Sequence, residues 1–105
     1  KGIEMKKILL CCAAGMSTSM LVKKMQQAAD EQALETMINA ISISDIEDHL
    51  PQYDVVLLGP QVKYELARIT ELATPLNKPV AVINMMDYGT MRGDKVLETA
   101  LALIG

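Results

Sequence analysis

The chain of 105 residues has no phenylalanine, no tryptophan and only three tyrosines. Its core must therefore be built from Leu, Ile, Val, Ala and Met, without aromatic anchors. Histidine occurs once, at His49, and cysteine twice, at the adjacent positions Cys11 and Cys12. Adjacent cysteines suit an ordinary disulfide poorly, because alternation along a strand points their side chains apart. Two such cysteines with a lone histidine do not make a zinc set either, so neither a metal nor a cofactor is expected. Ten basic residues against thirteen acidic ones leave a net charge of −3. The basic residues are dispersed, which argues against a nucleic-acid surface. Nowhere do about 18 apolar residues run together, so no segment is expected to insert in a bilayer. Ile8 to Ala14 is too short for a signal peptide and does not end as a cleavage site would. These absences point to a cytoplasmic domain.

What is there begins with a short apolar run, Ile8-Leu9-Leu10-Cys11, of the kind that forms a buried parallel strand. Leu21, Val22, Met25, Ala28, Ala29 and Ala33 then recur at helical spacing, with Lys23, Lys24, Gln26, Gln27, Asp30 and Glu31 on the opposite face. Between strand and helix stands Cys12-Ala13-Ala14-Gly15-Met16-Ser17-Thr18-Ser19. The first N–H groups of a helix lack internal partners and carry partial positive charge, so a small-residue loop opening onto them is an anion cradle. Gly15 tolerates positive φ and lets successive N–H groups turn inward, while the hydroxyls of Ser17, Thr18 and Ser19 add donors or cap the helix. A cysteine at the mouth of such a cradle is expected to have a depressed thiol pKa, which makes Cys12 a candidate nucleophile. The competing reading is that Cys12 is a small apolar residue filling a strand end. Cys11 reads as a core-facing strand residue rather than a resolving thiol.

The run CCAAGMSTSMLVKKM resembles the phosphorylation loop of the IIB component of the lactose/cellobiose/chitobiose class of the bacterial sugar phosphotransferase system. Val55-Val56-Leu57-Leu58-Gly59-Pro60-Gln61-Val62 with Tyr64 agrees with it, as does Lys78-Pro79-Val80 leading to Asp87-Tyr88-Gly89, so the likeness spans nearly the whole chain. The resemblance implies that Cys12 becomes a phosphocysteine. It would accept a phosphoryl group from a phosphohistidine of the IIA component and pass it to a sugar held by the membrane-bound IIC component, a β-linked disaccharide such as cellobiose, chitobiose or lactose. The loop is also similar to the Cys-x5-Arg cradle of low-molecular-weight tyrosine phosphatases, but Thr18 stands where those enzymes have arginine. Without that bidentate clamp a thiophosphate should form yet be cut slowly by water, as a carrier requires. A small cysteine-dependent phosphatase, and a non-catalytic regulatory binding module, are the alternatives.

Lys1 to Glu4 precede a candidate initiator at Met5 and are expected to be non-native residues or a frayed end, leaving 5–105 as the domain. Thr36 to Ile43 reads as a second strand, followed by a short acidic helix capped by Ser44 and stopped by Leu50-Pro51. His49 is expected to be a solvated side chain in that segment. Val55 to Leu58 is a second continuous apolar run and hence a central strand, closed by a tight turn at Gly59-Pro60-Gln61. Val62 to Ala73 is a helix with Val62, Leu66, Ile69, Leu72 and Ala73 inward, and Val80 to Ile83 is the last strand. A polar, Met-rich segment from Asn84 to Gly93 comes next, and Asp94 caps a final helix with Val96, Leu97, Ala100, Leu101 and Ile104 inward. Alternating strands and helices imply one four-stranded parallel sheet with helices on both faces. The resemblance supplies the strand order 2-1-3-4. Ligands of open parallel sheets sit at the carboxyl ends of the strands, which puts Gln61, Tyr64, Met85, Asp87 and Tyr88 on the rim around Cys12. Met16, Met85, Met86 and Met91 would cluster there as an adaptable docking face. Asp87 is not expected to be a general acid.

Overall fold

Leu9, Leu10 and Cys11 are completely buried, as are Val55, Leu57 and Leu58, because two continuous apolar runs lie side by side at the centre of a parallel sheet. The computed structural model describes residues 5–12 and 16–104, with backbone alone for residues 16–18. Strands β1 (Lys6–Cys12), β2 (Thr36–Ser42), β3 (Val55–Leu58) and β4 (Val80–Val82) form a four-stranded sheet in the order β2-β1-β3-β4. All three pairings are parallel, with Cys12 opposite Ser42, Cys11 opposite Leu58, and Leu58 opposite Val82.

The two-residue period of the strands sorts the core into two layers. Ile8, Leu10, Val55 and Leu57 pack against helices α1 (Met16–Glu31) and α5 (Gly93–Ile104) through Leu21, Met25, Val96, Leu97 and Ala100. Leu9, Cys11, Val56 and Leu58 pack on the other face against Ile46 of the short α2 (Ile46–His49) and Ile69 and Ala73 of α3 (Leu66–Ala73). Helices on both faces explain why the central strands have no polar side.

Several local expectations are corrected. Helix α1 stops at Glu31, and Ala33 lies beyond it in the left-handed region at φ 58°, where Leu34 N donates to Ala29 O and reverses the chain. Ser44 sits inside a 3-10 turn (Ile43–Asp45), its hydroxyl 3.0 Å from that of Ser42, and caps nothing with its side chain. Leu50-Pro51 does not end the helical path, which continues as a 3-10 turn through Gln52 with Leu50 at φ −50°, ψ −46°. Proline is tolerated there because the first N–H groups of a helical turn have no partner to lose. The stretch Pro60–Glu65 is a 3-10 helix kinked at Val62, and only then does α3 begin. Three residues per turn instead of 3.6 shift the phase of the helix that it leads into, which leaves Leu66 36% exposed instead of inward. Asn84 to Gly93 contains a further helix, α4 (Met85–Gly89), and Asp94 lies in the first turn of α5, paired with Arg92 Nε at 3.2 Å.

Candidate active site

Beyond the last formal pairs the ladder continues by one bond on each side of β3. Gly59 N donates to Cys11 O at 2.8 Å, and Ile83 N donates to Leu58 O at 2.8 Å. Three parts of the chain therefore reach the carboxyl edge together: the end of β1 at Cys12, the Gly59-Pro60-Gln61 turn, and the segment from Asn84 into α4. The Asn84 side chain fixes the last of these by accepting from Met86 N at 2.8 Å and Asp87 N at 3.1 Å.

Cys12 is the final residue of β1, and α1 begins at Met16, so the strand-to-helix passage falls where the motif predicts. Of the predicted cradle, Ala13, Ala14 and Gly15 lie outside the described residues. Met16, Ser17 and Thr18 supply the backbone of the first turn of α1, where N–H groups have no partner within the helix, and Ser19 is exposed in the same turn. Neither cysteine is in a disulfide. A cysteine open at the mouth of its loop is not what the structure shows, since Cys12 is only 2% exposed. It ends a central strand and is hemmed by β2 on one side and the Gly59 turn on the other. Cys11 faces the α3 layer as expected. Burial, with a smaller contribution from the charge of Cys12, pushes its thiol pKa up from 9.0 to about 12.

Gly59 has φ −62° and ψ 149°, so the turn does not need glycine for its backbone. The reason for the small residue is space: a β-carbon at position 59 would sit 2.5 Å from Gln61 Oε1 and 3.5 Å from the Cys12 β-carbon. Gln61 is therefore folded back over Gly59, and its Nε2 donates to the Tyr88 hydroxyl at 2.8 Å. That pairing is not legible in the sequence, because nothing in the spacing of two residues 27 apart joins them. Only the convergence of strand ends does.

The other rim candidates divide. Tyr64 is 75% exposed, and Met85 and Met86 are 67% and 75% exposed, lining an open groove with Asn84, Gly89 and Thr90. Asp87 is half-buried in the crevice with Leu57, Ile83, Val96 and Thr99, on the α5 side of β3. Met91 does not join a methionine cluster. It packs against the α1–α5 core, beside Ala28, because its left-handed backbone at φ 56° carries the chain away from the rim into α5. His49 is half-buried rather than fully solvated. Among the described residues, no group of His, Cys, Asp and Glu side chains is arranged to hold a metal ion, and no helix is long and apolar enough to cross a membrane.

Residues 7–99 match the family described as the PTS system lactose/cellobiose-specific IIB subunit. The chain is 50% identical over 100 residues to the galactose-specific EIIB component of Lactococcus lactis subsp. cremoris, covering 90% of this chain and 93% of that protein. It is 49% identical over 100 residues, with the same coverage of 90% and 93%, to the cellobiose-specific EIIB component of Lactococcus lactis subsp. lactis. Its fold superposes with a TM-score of 0.82 on the solution structure of a cellobiose-specific IIB component from Borrelia burgdorferi, at 40% identity, covering 98% of this chain and 94% of that one.

Proposed function

The chain belongs to the lactose/cellobiose-specific IIB family of the sugar phosphotransferase system, and from that membership we propose that Cys12 is the residue on which it carries the phosphoryl group. IIB components are phosphotransferases that work with a IIA component and a membrane IIC component in sugar uptake, so a carrier site is required. The observation that carries the assignment to Cys12 is its place at the carboxyl end of β1, immediately ahead of the segment that opens onto the N-terminus of the 16-residue α1.

The chemistry proposed for that place is two successive transfers. The Cys12 thiolate attacks the phosphorus of a phosphohistidine on IIA; the S–P bond forms as the N–P bond breaks, and the electron pair stays on the imidazole nitrogen. Backbone N–H groups of residues 13–18, with the hydroxyls of Ser17, Thr18 and Ser19, are the donors for the phosphoryl oxygens. A hydroxyl of the sugar held by IIC then attacks phosphorus and gives up its proton to a base of IIC or to solvent; the O–P bond forms as the S–P bond breaks, and the electron pair returns to sulfur. Because Cys12 is 2% exposed, both transfers require the atoms over Sγ to be displaced as each partner docks. Tyr64 and Met85, both largely exposed, are the side chains we assign to meeting those partners. Asp87 stays out of the proton transfers. Residues 5–105 act as one cytoplasmic domain, and the sugar is a β-linked disaccharide such as cellobiose, chitobiose or lactose. Relatives of nearly equal identity are named for different sugars, which fits a pocket supplied mainly by IIC.

The test is reconstitution with phosphorylated IIA and membranes bearing a IIC of this class, with cellobiose, chitobiose, lactose and galactose offered in turn. Sugar phosphate should form only when the wild-type chain is present, and Cys12→Ser should abolish it. Wild-type rates from Cys12→Ser would overturn the assignment.

A further inference from the structure

At the rim, Tyr88 of α4, Gln61 and Cys12 are gathered around Gly59. The Tyr88 hydroxyl accepts from Gln61 Nε2 at 2.8 Å. The other end of the same carboxamide lies over Gly59, where a β-carbon would touch both Gln61 Oε1, at 2.5 Å, and the β-carbon of Cys12, at 3.5 Å. The carboxamide oxygen is thus turned to the side of Gly59 that faces the cysteine, and the amide nitrogen is tied back to the tyrosine.

This orientation suits one state of the cysteine and not the other. A thiol is a weak donor, and an oxygen acceptor beside it is compatible with it. A thiophosphate presents anionic oxygens, which need donors and are repelled by a second acceptor. A carboxamide has a donor end and an acceptor end, and a phenol hydroxyl both donates and accepts. If the carboxamide turns over, the Tyr88 hydroxyl gives up any other bond that its proton makes and donates to Oε1 instead of accepting from Nε2, so the pair keeps its hydrogen bond while Nε2–H comes to the side of Gly59 that Cys12 lines. The terminal torsion of glutamine is broad and roughly two-fold, so the turn meets little resistance.

Resting on Cys12 as the phosphoryl carrier, we propose that Gln61 contacts the phosphoryl group directly, its carboxamide turning over between the thiol and thiophosphate states, and that Tyr88 is the positioning residue that holds it in both. The neutral amide supplies a donor beside a loop whose sequence has Thr18 in place of a clamping arginine, and it holds the group without adding a fixed positive charge. The glycine at position 59 is the space through which the two ends meet.

The experiment is single-turnover phosphorylation of the intact chain by a phosphohistidine-bearing IIA of this class, comparing wild type, Gln61→Ala, Tyr88→Phe, Gly59→Ala and the Gln61→Ala/Tyr88→Phe double variant. Thermal unfolding midpoints are measured alongside. Loss of a hydrogen bond to an anionic group predicts that Gln61→Ala is slower by about 10-fold or more. Tyr88→Phe is slowed less, and the double variant matches Gln61→Ala, because the hydroxyl acts only through the carboxamide. Gly59→Ala keeps the amide but displaces it, and it too is slowed while remaining folded. In wild type the Gln61 side-chain amide proton resonances shift when Cys12 is phosphorylated. Gln61→Ala labelled at the wild-type rate, slowing by the two single substitutions that multiplies in the double variant, or an amide resonance that does not move would each overturn the proposal. Wild type that takes no label on Cys12 would overturn the carrier assignment and this inference with it, whereas labelled wild type with unimpaired variants overturns this inference alone.

Discussion

Two adjacent cysteines close β1, and the pleat gives them different surroundings. Cys11 is fully buried among Leu58, Val62 and Ile69, and burial first, then the charge of Cys12, pushes its thiol pKa up from 9.0 to about 12. A raised thiol pKa means that the folded state keeps a proton which the unfolded chain gives up. The stabilisation is complete below about pH 9 and is lost as pH rises towards 12. Over that window Cys11 alone should lower the unfolding free energy by about 1.4 kcal/mol per pH unit. Denaturant midpoints compared between wild type and Cys11→Ala from pH 8 upwards check this: the wild type should fall more steeply, and parallel curves would contradict it. Below pH 9, an alkylating reagent should leave Cys11 unmodified in the folded protein. Alternation is enough to place Cys11 and Cys12 on opposite faces from the sequence, but both faces of this central strand are covered, so the burial of Cys12 could not be read in the same way.

At the scale of elements, two glycines that look alike in the sequence have different work to do. Gly93, at the start of α5, lies against the backbone of α1: a β-carbon there would be 2.5 Å from the Lys24 carbonyl carbon and 2.6 Å from Met25 N. Gly93→Ala forces the two helices apart and should destabilise by about 1–3 kcal/mol, as overpacking does. Gly59→Ala meets chiefly the movable end of Gln61 at an ordinary φ of −62°, so its unfolding free energy should change by less than about 1 kcal/mol. Chemical denaturation of both variants separates the cases, and equal losses would refute the packing account. Legibility in the sequence divides in the same way between local and non-local causes. β1 and β3 can be read because both faces of a central strand are apolar, and α5 because its inward residues keep one helical phase. The 3-10 stretch Pro60–Glu65 cannot be read, since its period is set by a kink at Val62 that no composition signals, and Leu66 points inward only on an unbroken α-helical period. Strand order is implied by family resemblance rather than by the pattern of residues.

Across the whole molecule, the parallel order β2-β1-β3-β4 makes the site by bringing Cys12, the Gly59 turn and α4 to one edge from distant parts of the chain. On the proposed carrier role that edge is a holder rather than a cutter, because the sequence has Thr18 where low-molecular-weight tyrosine phosphatases have an arginine that speeds phosphate release. A simple aryl phosphate should therefore show no appreciable turnover, while the phosphorylated chain should hold its label far longer without sugar and IIC than with them. Rapid loss to water would favour a phosphatase. The most direct measurement is to phosphorylate the protein with labelled IIA, digest it under conditions that preserve thiophosphate, and locate the label by mass spectrometry. The account predicts the label on the Cys12 sulfur and nowhere else; a label on His49 or Cys11, or Cys12→Ser labelled as well as wild type, would contradict it.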